Sequence, residues 1–154
     1  WLSSEEIRNT FIGLFPKTKK ELESYFLKSK DKEYYSIYYK RSSFVGFIGA
    51  ERKDDISKKL EMKKLVGDSN FRGKGIGKSA TFLFLYHIFN NYNFNKVFIH
   101  SMDTNIKNIN LNSKFGFSLE GFLFKEMQIN DVYHDVIRMG LLKEKWFEIY
   151  NGVK

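Results

Sequence analysis

Cysteine is absent from the 154 residues, and proline occurs once, at Pro16. Without thiols there is no disulfide framework, no thiolate metal site and no cysteine nucleophile, a composition that suits a reducing cytosol. With one proline there is no Pro-rich linker, and no repeat or low-complexity tract divides the chain. A single domain over residues 1–154 is therefore expected. Long apolar runs are missing too, and no charged-then-apolar leader opens the sequence, so the expected setting is cytoplasmic with no membrane partner. Acidic residues are in deficit, 18 Asp and Glu against 26 Lys and Arg.

The resulting net charge of +8 favours an anionic partner: nucleic acid, a membrane surface or a phosphorylated small molecule. The lysines are spread along the chain rather than gathered in a tail. Lys, Asn, Ile, Phe and Tyr are all abundant, the pattern of an AT-rich bacterial genome, so part of the charge is ascribed to codon drift. Hydrophobic residues at 42% and aromatics at 18% suffice for a packed core.

Two capping boxes, Ser3-x-x-Glu6 and Thr18-x-x-Glu21, each announce a short helix. "EYYSIYYK" (33–40), "SFVGFIGAER" (43–52) and "SKKLEMKKLVGD" (57–68) read as strands, the middle one apolar enough to be covered on both faces. From Gly77 to Tyr92 apolar residues lie around most of a helix, which predicts a buried one. A strand at 95–103 follows. Next comes a helix with Asn105 as N-cap and Gly116 as its left-handed stop, then two long strands (117–129 and 133–142) turning at Asn130 and Asp131, and a short helix around Trp146. The order predicts an α/β (α+β) fold, a mixed sheet with helices on its faces.

Within this frame "NFRGKGIGKSA" (70–80) crowds three glycines and three cations onto the start of the buried helix. A Walker A loop needs a glycine at position 72, which is Arg, and Gly73 leaves the spacing one residue short. The dinucleotide fingerprint fails because Gly77, not residue 78, follows Gly73 and Gly75. What remains is a strand-loop-helix that aims backbone N–H groups and the positive helix end at one point, a cradle for a pyrophosphate. The glycines let main chain approach the anion. A helix end contributes only about 0.3–1 kcal/mol per charge, so Arg72, Lys74 and Lys78 are expected to add to it. The plainer alternative is a Gly-rich turn with solvated cations.

"FRGKGIGKSA" resembles the acyl-CoA pyrophosphate loop, R/Q-x-x-G-x-G/A, of the GNAT N-acetyltransferases, filled here by Arg72, Gly73, Lys74, Gly75, Ile76 and Gly77. The strand "LEMKKLVGD" before it, the helix "NIKNINLNSKFGF" and the carboxyl end "LEGFLFKEMQINDVYHDVIRMGLLKEKW" also agree in order and spacing. They resemble the branch that holds the ribosomal-protein N-terminal acetyltransferases and small-molecule relatives. The resemblance is specific over about residues 57–146. It is weaker before that, where "WLSSEEIR" is similar to a helix of the same branch. It implies a GNAT-type acyl-CoA N-acyltransferase fold, with a mostly antiparallel sheet, helices on both faces, and a first strand that would lie ahead of Trp1.

The activity so implied is transfer of an acetyl group from acetyl-CoA to a primary amine by direct attack, with no metal. A lysine-like amine of pKa about 10.4 costs about 4–5 kcal/mol to neutralise at pH 7, and an α-amine near 8 costs about 1, so a base matters more for the first. By the resemblance, Leu65, Val66 and Gly67 border the thioester, and a backbone N–H near Val66 is the oxyanion donor. For the base, Glu120 ranks first and Glu61 second, with His134 and Asp135 also considered. Strand carboxylates of this kind are as often structural hydrogen-bond partners.

Asn105, Asn112, Lys114 and Lys78 complete the implied cofactor set. Asn112 stands where many family members have the tyrosine that protonates the departing thiolate, which puts that step in doubt. The acceptor is open between an amino sugar or other small amine and a protein amino terminus, and a polycation is disfavoured by the charge. A homodimer is left open. Two rivals remain: a nucleic-acid-binding module, though most Phe lie in core-like runs and no nucleic acid is expected, and an inactive acyl-CoA binder.

Overall fold

The computed structural model describes residues 1, 2, 4, 7, 15, 16 and 18–151. Ser3 and Glu6, the first expected capping box, lie outside the described residues. The second box forms as read: Thr18 Oγ1 accepts the Glu21 N–H at 3.3 Å, and the Glu21 carboxylate accepts the Thr18 N–H at 3.2 Å. They open α1 (Lys19–Leu27).

Six strands and three further helices follow: β1 (Glu33–Tyr39), β2 (Ser43–Asp54), β3 (Lys59–Val66), α2 (Ile76–Asn91), β4 (Lys96–Met102), α3 (Ile106–Ser113), β5 (Ser118–Ile129), β6 (Val132–Leu142) and α4 (Lys143–Ile149). The sheet order is β1-β2-β3-β4-β6-β5. Every neighbouring pair is antiparallel except β3–β4. This is the mixed α+β sheet that the element order implied, with the mostly antiparallel pairing that the resemblance implied.

Alternation along the central strands distributes the core. Ile48, Ala50, Leu60 and Met62 pack with Phe84, Leu85, Ile88 and Phe89 of α2 and with Trp146 of α4. Phe47 and Leu65 point the other way, into a smaller cluster with Ile7, Phe15 and Phe26 of α1. Each fully buried Leu or Phe in these clusters contributes about 1.5–3 kcal/mol. Helix α2 is apolar all round in sequence, yet Leu83 is 65% exposed, because the helix covers the sheet with one broad side.

The hairpin turn between β5 and β6 has both Asn130 (φ 47°) and Asp131 (φ 62°) in the left-handed region, as a two-residue type I′ turn requires. Asp135 accepts the Lys125 N–H at 2.8 Å, pinning the irregularity between Leu123 and Met127 of β5.

One irregularity sets up everything that follows. β3 and β4 pair only from Lys59↔Lys96 to Glu61↔Phe98, then part. β3 continues along β2 as far as Val66, and β4 follows β6 as far as Met102. The two strands, each held by its other neighbour, open into a V.

Candidate active site

A cleft of about 830 Å³ fills the V and runs up to the loop before α2. Its walls are Met62–Val66 of β3, Ile99–Ser101 of β4, the glycine loop, and residues from Asn105 to Lys114 around α3. Ile7 closes its far side.

The loop provides amides rather than side chains. Gly75 caps α2 with φ 79° and no side-chain cap, and the first helical bond is Ser79 N–H to Gly75 O at 3.0 Å. The N–H groups of Ile76, Gly77 and Lys78 therefore have no carbonyl of the helix to meet. A Cβ built on Gly73 (φ 75°) or Gly75 meets nothing within 4 Å, so the space above both is open for a ligand. Gly77 differs: its backbone is not left-handed, and a Cβ there would touch only Val66 Cγ2 at 3.7 Å.

The expected cations divide. Lys78 and Lys114 line the cleft, joined by Lys107. Arg72 also borders it, but its guanidinium is committed to main chain, with Nε donating to Val66 O and Nη2 to Gly67 O, both at 2.9 Å. Lys74 and Ile76 face a separate groove against β1, where the Lys74 ammonium lies 5.5 Å from the Phe71 ring centroid. Lys64, which the sequence did not single out, lines the cleft and donates to Thr81 Oγ1 at 2.8 Å. Burial lowers its pKa to about 8. Among the described residues the lining holds Lys63, Lys64, Arg72, Lys78, Lys107 and Lys114, and no Asp or Glu.

The end of β3 has the polarity expected of an oxyanion donor. Gly67 N–H reaches Val45 O at 2.9 Å, which makes the register pair Gly46↔Val66 a non-hydrogen-bonded one. The Val66 N–H and C=O therefore turn away from β2 toward the cleft, consistent with the Arg72 contact to Val66 O. Gly67 itself packs under the Trp1 ring, where a Cβ would lie 2.1 Å from ring carbons.

On α3, Asn105 is the N-cap, accepting the Asn108 N–H at 3.3 Å. Asn112 is 1% exposed and donates to Asn108 O at 2.9 Å and to Asn108 Oδ1 at 3.1 Å. Its own Oδ1 has no partner, although Asn112 lines the cleft. An orphaned buried acceptor is costly in a folded protein, and a ligand N–H would satisfy it.

The carboxylates do not sit where the expectations put them. Glu120 does not line the cleft; it is ion-paired to Lys96 and to Arg138 Nε at 3.1 Å. Burial pushes its carboxyl up, but the hydrogen bonds from Lys96 and Arg138 outweigh this and hold it below the usual carboxylate range. Glu61 is 0% exposed beneath the cleft floor. It meets His100 Nδ1 at 3.0 Å, Lys63 Nζ at 2.6 Å and Arg52 Nη1 at 3.3 Å. Burial raises its pKa, and the His100 hydrogen bond and Lys63 charge more than reverse that, to about 2. His100 was missed in the sequence. It lines the cleft directly above Glu61, while His134 does not.

The open glycine loop, the orphaned Asn112 oxygen and the cationic walls fit a long anionic ligand with amide groups. The chain is 28% identical over 104 residues to the protein described as "Putative ribosomal N-acetyltransferase YdaF" of Bacillus subtilis, covering 68% of this chain and 56% of that protein. It is 27% identical over 106 residues to spermidine N(1)-acetyltransferase of Vibrio cholerae, covering 69% of this chain and 61% of that one. The match thus spans about three fifths of each relative's length. In fold it is similar to a variant of the spermidine N-acetyltransferase SpeG from Vibrio cholerae, with TM-score 0.83 and 24% identity over 92% of this chain and 87% of that one. With the family model matched over residues 1–118, the chain belongs to the acetyltransferase (GNAT) domain family.

Proposed function

We propose that the cleft binds acetyl-CoA and that the protein transfers its acetyl group to a primary amine. The observation that carries this reading is the set of three unmet α2 amides behind two left-handed glycines with open space above them. In this reading the amides of residues 73–78 hold the diphosphate with Lys78, while Lys107 and Lys114 face the remaining phosphate. Asn105 and Asn112 offer side-chain amides to the pantetheine arm, the latter through its partnerless oxygen. Acetyl-CoA supplies a thioester carbon already activated toward amines. The Val66 N–H, turned into the V, is the donor that would stabilise developing negative charge there.

Among the described residues the lining has six Lys and Arg and no Asp or Glu, which supports an acceptor that carries negative charge beside its amine, such as a phosphorylated amino sugar, over a polycation. The two curated relatives are named for ribosomal and spermidine acetylation, so a peptide amino terminus and a polyamine are the natural comparators. Thermal-shift titration with acetyl-CoA, followed by free-thiol release across amino-sugar phosphates, peptide amino termini and spermidine, tests the reading. Stabilisation by acetyl-CoA with thiol release on the anionic amines is expected. Stabilisation without release on any amine points to an inactive binder. No stabilisation, together with a salt-sensitive nucleic-acid gel shift, overturns the assignment in favour of a basic binding module.

A further inference from the structure

We infer that His100 is the group that accepts the proton the amine must shed, with Glu61 fixing its tautomer from below. The inference rests on the acetyl-transfer reading above and adds the base that it lacks. Its ground is geometric. The base must reach the cleft, and Glu61 does not: no part of it is exposed, and His100, Lys63 and Arg52 are packed against its carboxylate. His100 lies between Glu61 and the cleft, with Nδ1 directed at Glu61 Oε1 at 3.0 Å. A carboxylate ionised throughout the neutral range accepts a hydrogen and does not give one. Nδ1 therefore carries the hydrogen directed at Glu61, and in the neutral imidazole with that tautomer the lone pair is on Nε2.

The groups packed around His100 are Glu61 and Lys63 on β3, Arg52 beyond Glu61 on β2, and Arg138, its register partner on β6. Arg138 is stacked 4.2 Å over Phe98 and tied to Glu120. Arg52 and Lys63 share the Glu61 carboxylate with the imidazole, Arg52 through Oε2 and Lys63 through Oε1, while Arg138 is committed to Glu120.

In the step itself Nε2 takes one proton from the amine. The freed nitrogen pair forms the C–N bond to the acetyl carbon, the C–S pair leaves on sulfur, the second nitrogen proton, made acidic by acylation, passes to the thiolate, and the imidazolium returns its proton to solvent. His100 is thus a catalytic residue of the proposed reaction, and Glu61 is a positioning residue.

The test is His100→Gln and Glu61→Gln compared with the wild type on two acceptors, an ε-amine of pKa about 10.4 and a peptide α-amine near 8. His100→Gln should lower kcat for the ε-amine about 100-fold and for the α-amine far less, with KM for acetyl-CoA unchanged. Equal losses on both amines, or none, overturn the role of His100. Failure of acetyl-CoA to stabilise the wild type overturns the underlying reading as well. A readout without any acceptor is the imidazole nitrogen spectrum of the free protein: Nδ1–H in the wild type, mixed tautomers in folded Glu61→Gln. An Nε2–H tautomer in the wild type sinks the proposal. Should Glu61→Gln fail to fold, His100→Gln and the wild-type spectrum still decide it.

Discussion

Arg72 clasps Val66, its Nε and Nη2 spanning the Val66 and Gly67 carbonyls at 2.9 Å each. A residue that sequence reasoning assigned to phosphate thus ties the glycine loop to the end of β3 and holds the Val66 amide at the mouth of the V. Arg72→Met removes two charge-assisted hydrogen bonds and should cost about 2 kcal/mol of stability. It should also weaken acetyl-CoA binding at least tenfold. Arg72→Lys should rescue little, since an ammonium cannot bridge two carbonyls in the plane of a guanidinium. Calorimetric titration of the three proteins checks this. Full rescue by Lys would show that charge, not the fork, is what matters.

The two kinds of glycine in the loop predict opposite outcomes. Gly75→Ala places a Cβ on a backbone at φ 79°, costing about 1–2 kcal/mol, and Gly75→Glu adds a carboxylate in the open space where the anion is expected. The second should abolish the thermal shift with acetyl-CoA. Gly77→Ala meets only Val66 Cγ2 at ordinary contact distance, so melting temperature and shift should be preserved. Loss of the shift in Gly77→Ala with an intact fold would mean the ligand sits closer to that residue than the open cleft suggests.

Lys64 costs the free protein stability. Its folded pKa, lowered by burial to about 8 from 10.5, means the ammonium is disfavoured in the fold. Between these two values the unfolded chain binds the extra proton, so stability rises with pH across that window, and the full penalty is present below pH 8. Lys64→Met should raise the melting temperature at pH 7, by a free energy on the order of 2 kcal/mol, and flatten the dependence between pH 8 and 10.5. It should also weaken acetyl-CoA binding by removing a cation from the wall. Melting curves at pH 7 and 10 with and without acetyl-CoA separate the two effects.

Glu120→Gln should leave acetyl transfer within about twofold of the wild type. The carboxylate serves Lys96 and Arg138 away from the cleft, and its partly exposed pairs contribute about 1 kcal/mol or less. A hundredfold loss of kcat in a protein that melts normally would return Glu120 to the role of base.

Elements marked by local chemistry were legible before any coordinates. The Thr18–Glu21 box, the Asn105 cap and the Asn130–Asp131 turn each depend on residues no more than a few positions apart. The loop was legible for the same reason, as contiguous glycines ahead of an apolar helix. The groups proposed for proton transfer were not. Glu61 and Glu120 are both strand carboxylates, and nothing within "LEM" or "LEG" says that one lies under the cleft while the other is locked to Arg138. His100 carries no local mark either. It meets Glu61 across a separation of 39 residues, through a parallel pairing only three residue pairs long.

By itself the sequence determined the elements, their order and the glycine loop, because capping, turn chemistry and hydrophobic period act over a few residues of chain. Only the tertiary structure decided where β3 and β4 part, and hence which side chains face the cleft. The register between distant strands selects one of two faces for each residue. That choice placed His100 at the surface of the cleft, Glu61 beneath it and Glu120 on a different ion pair.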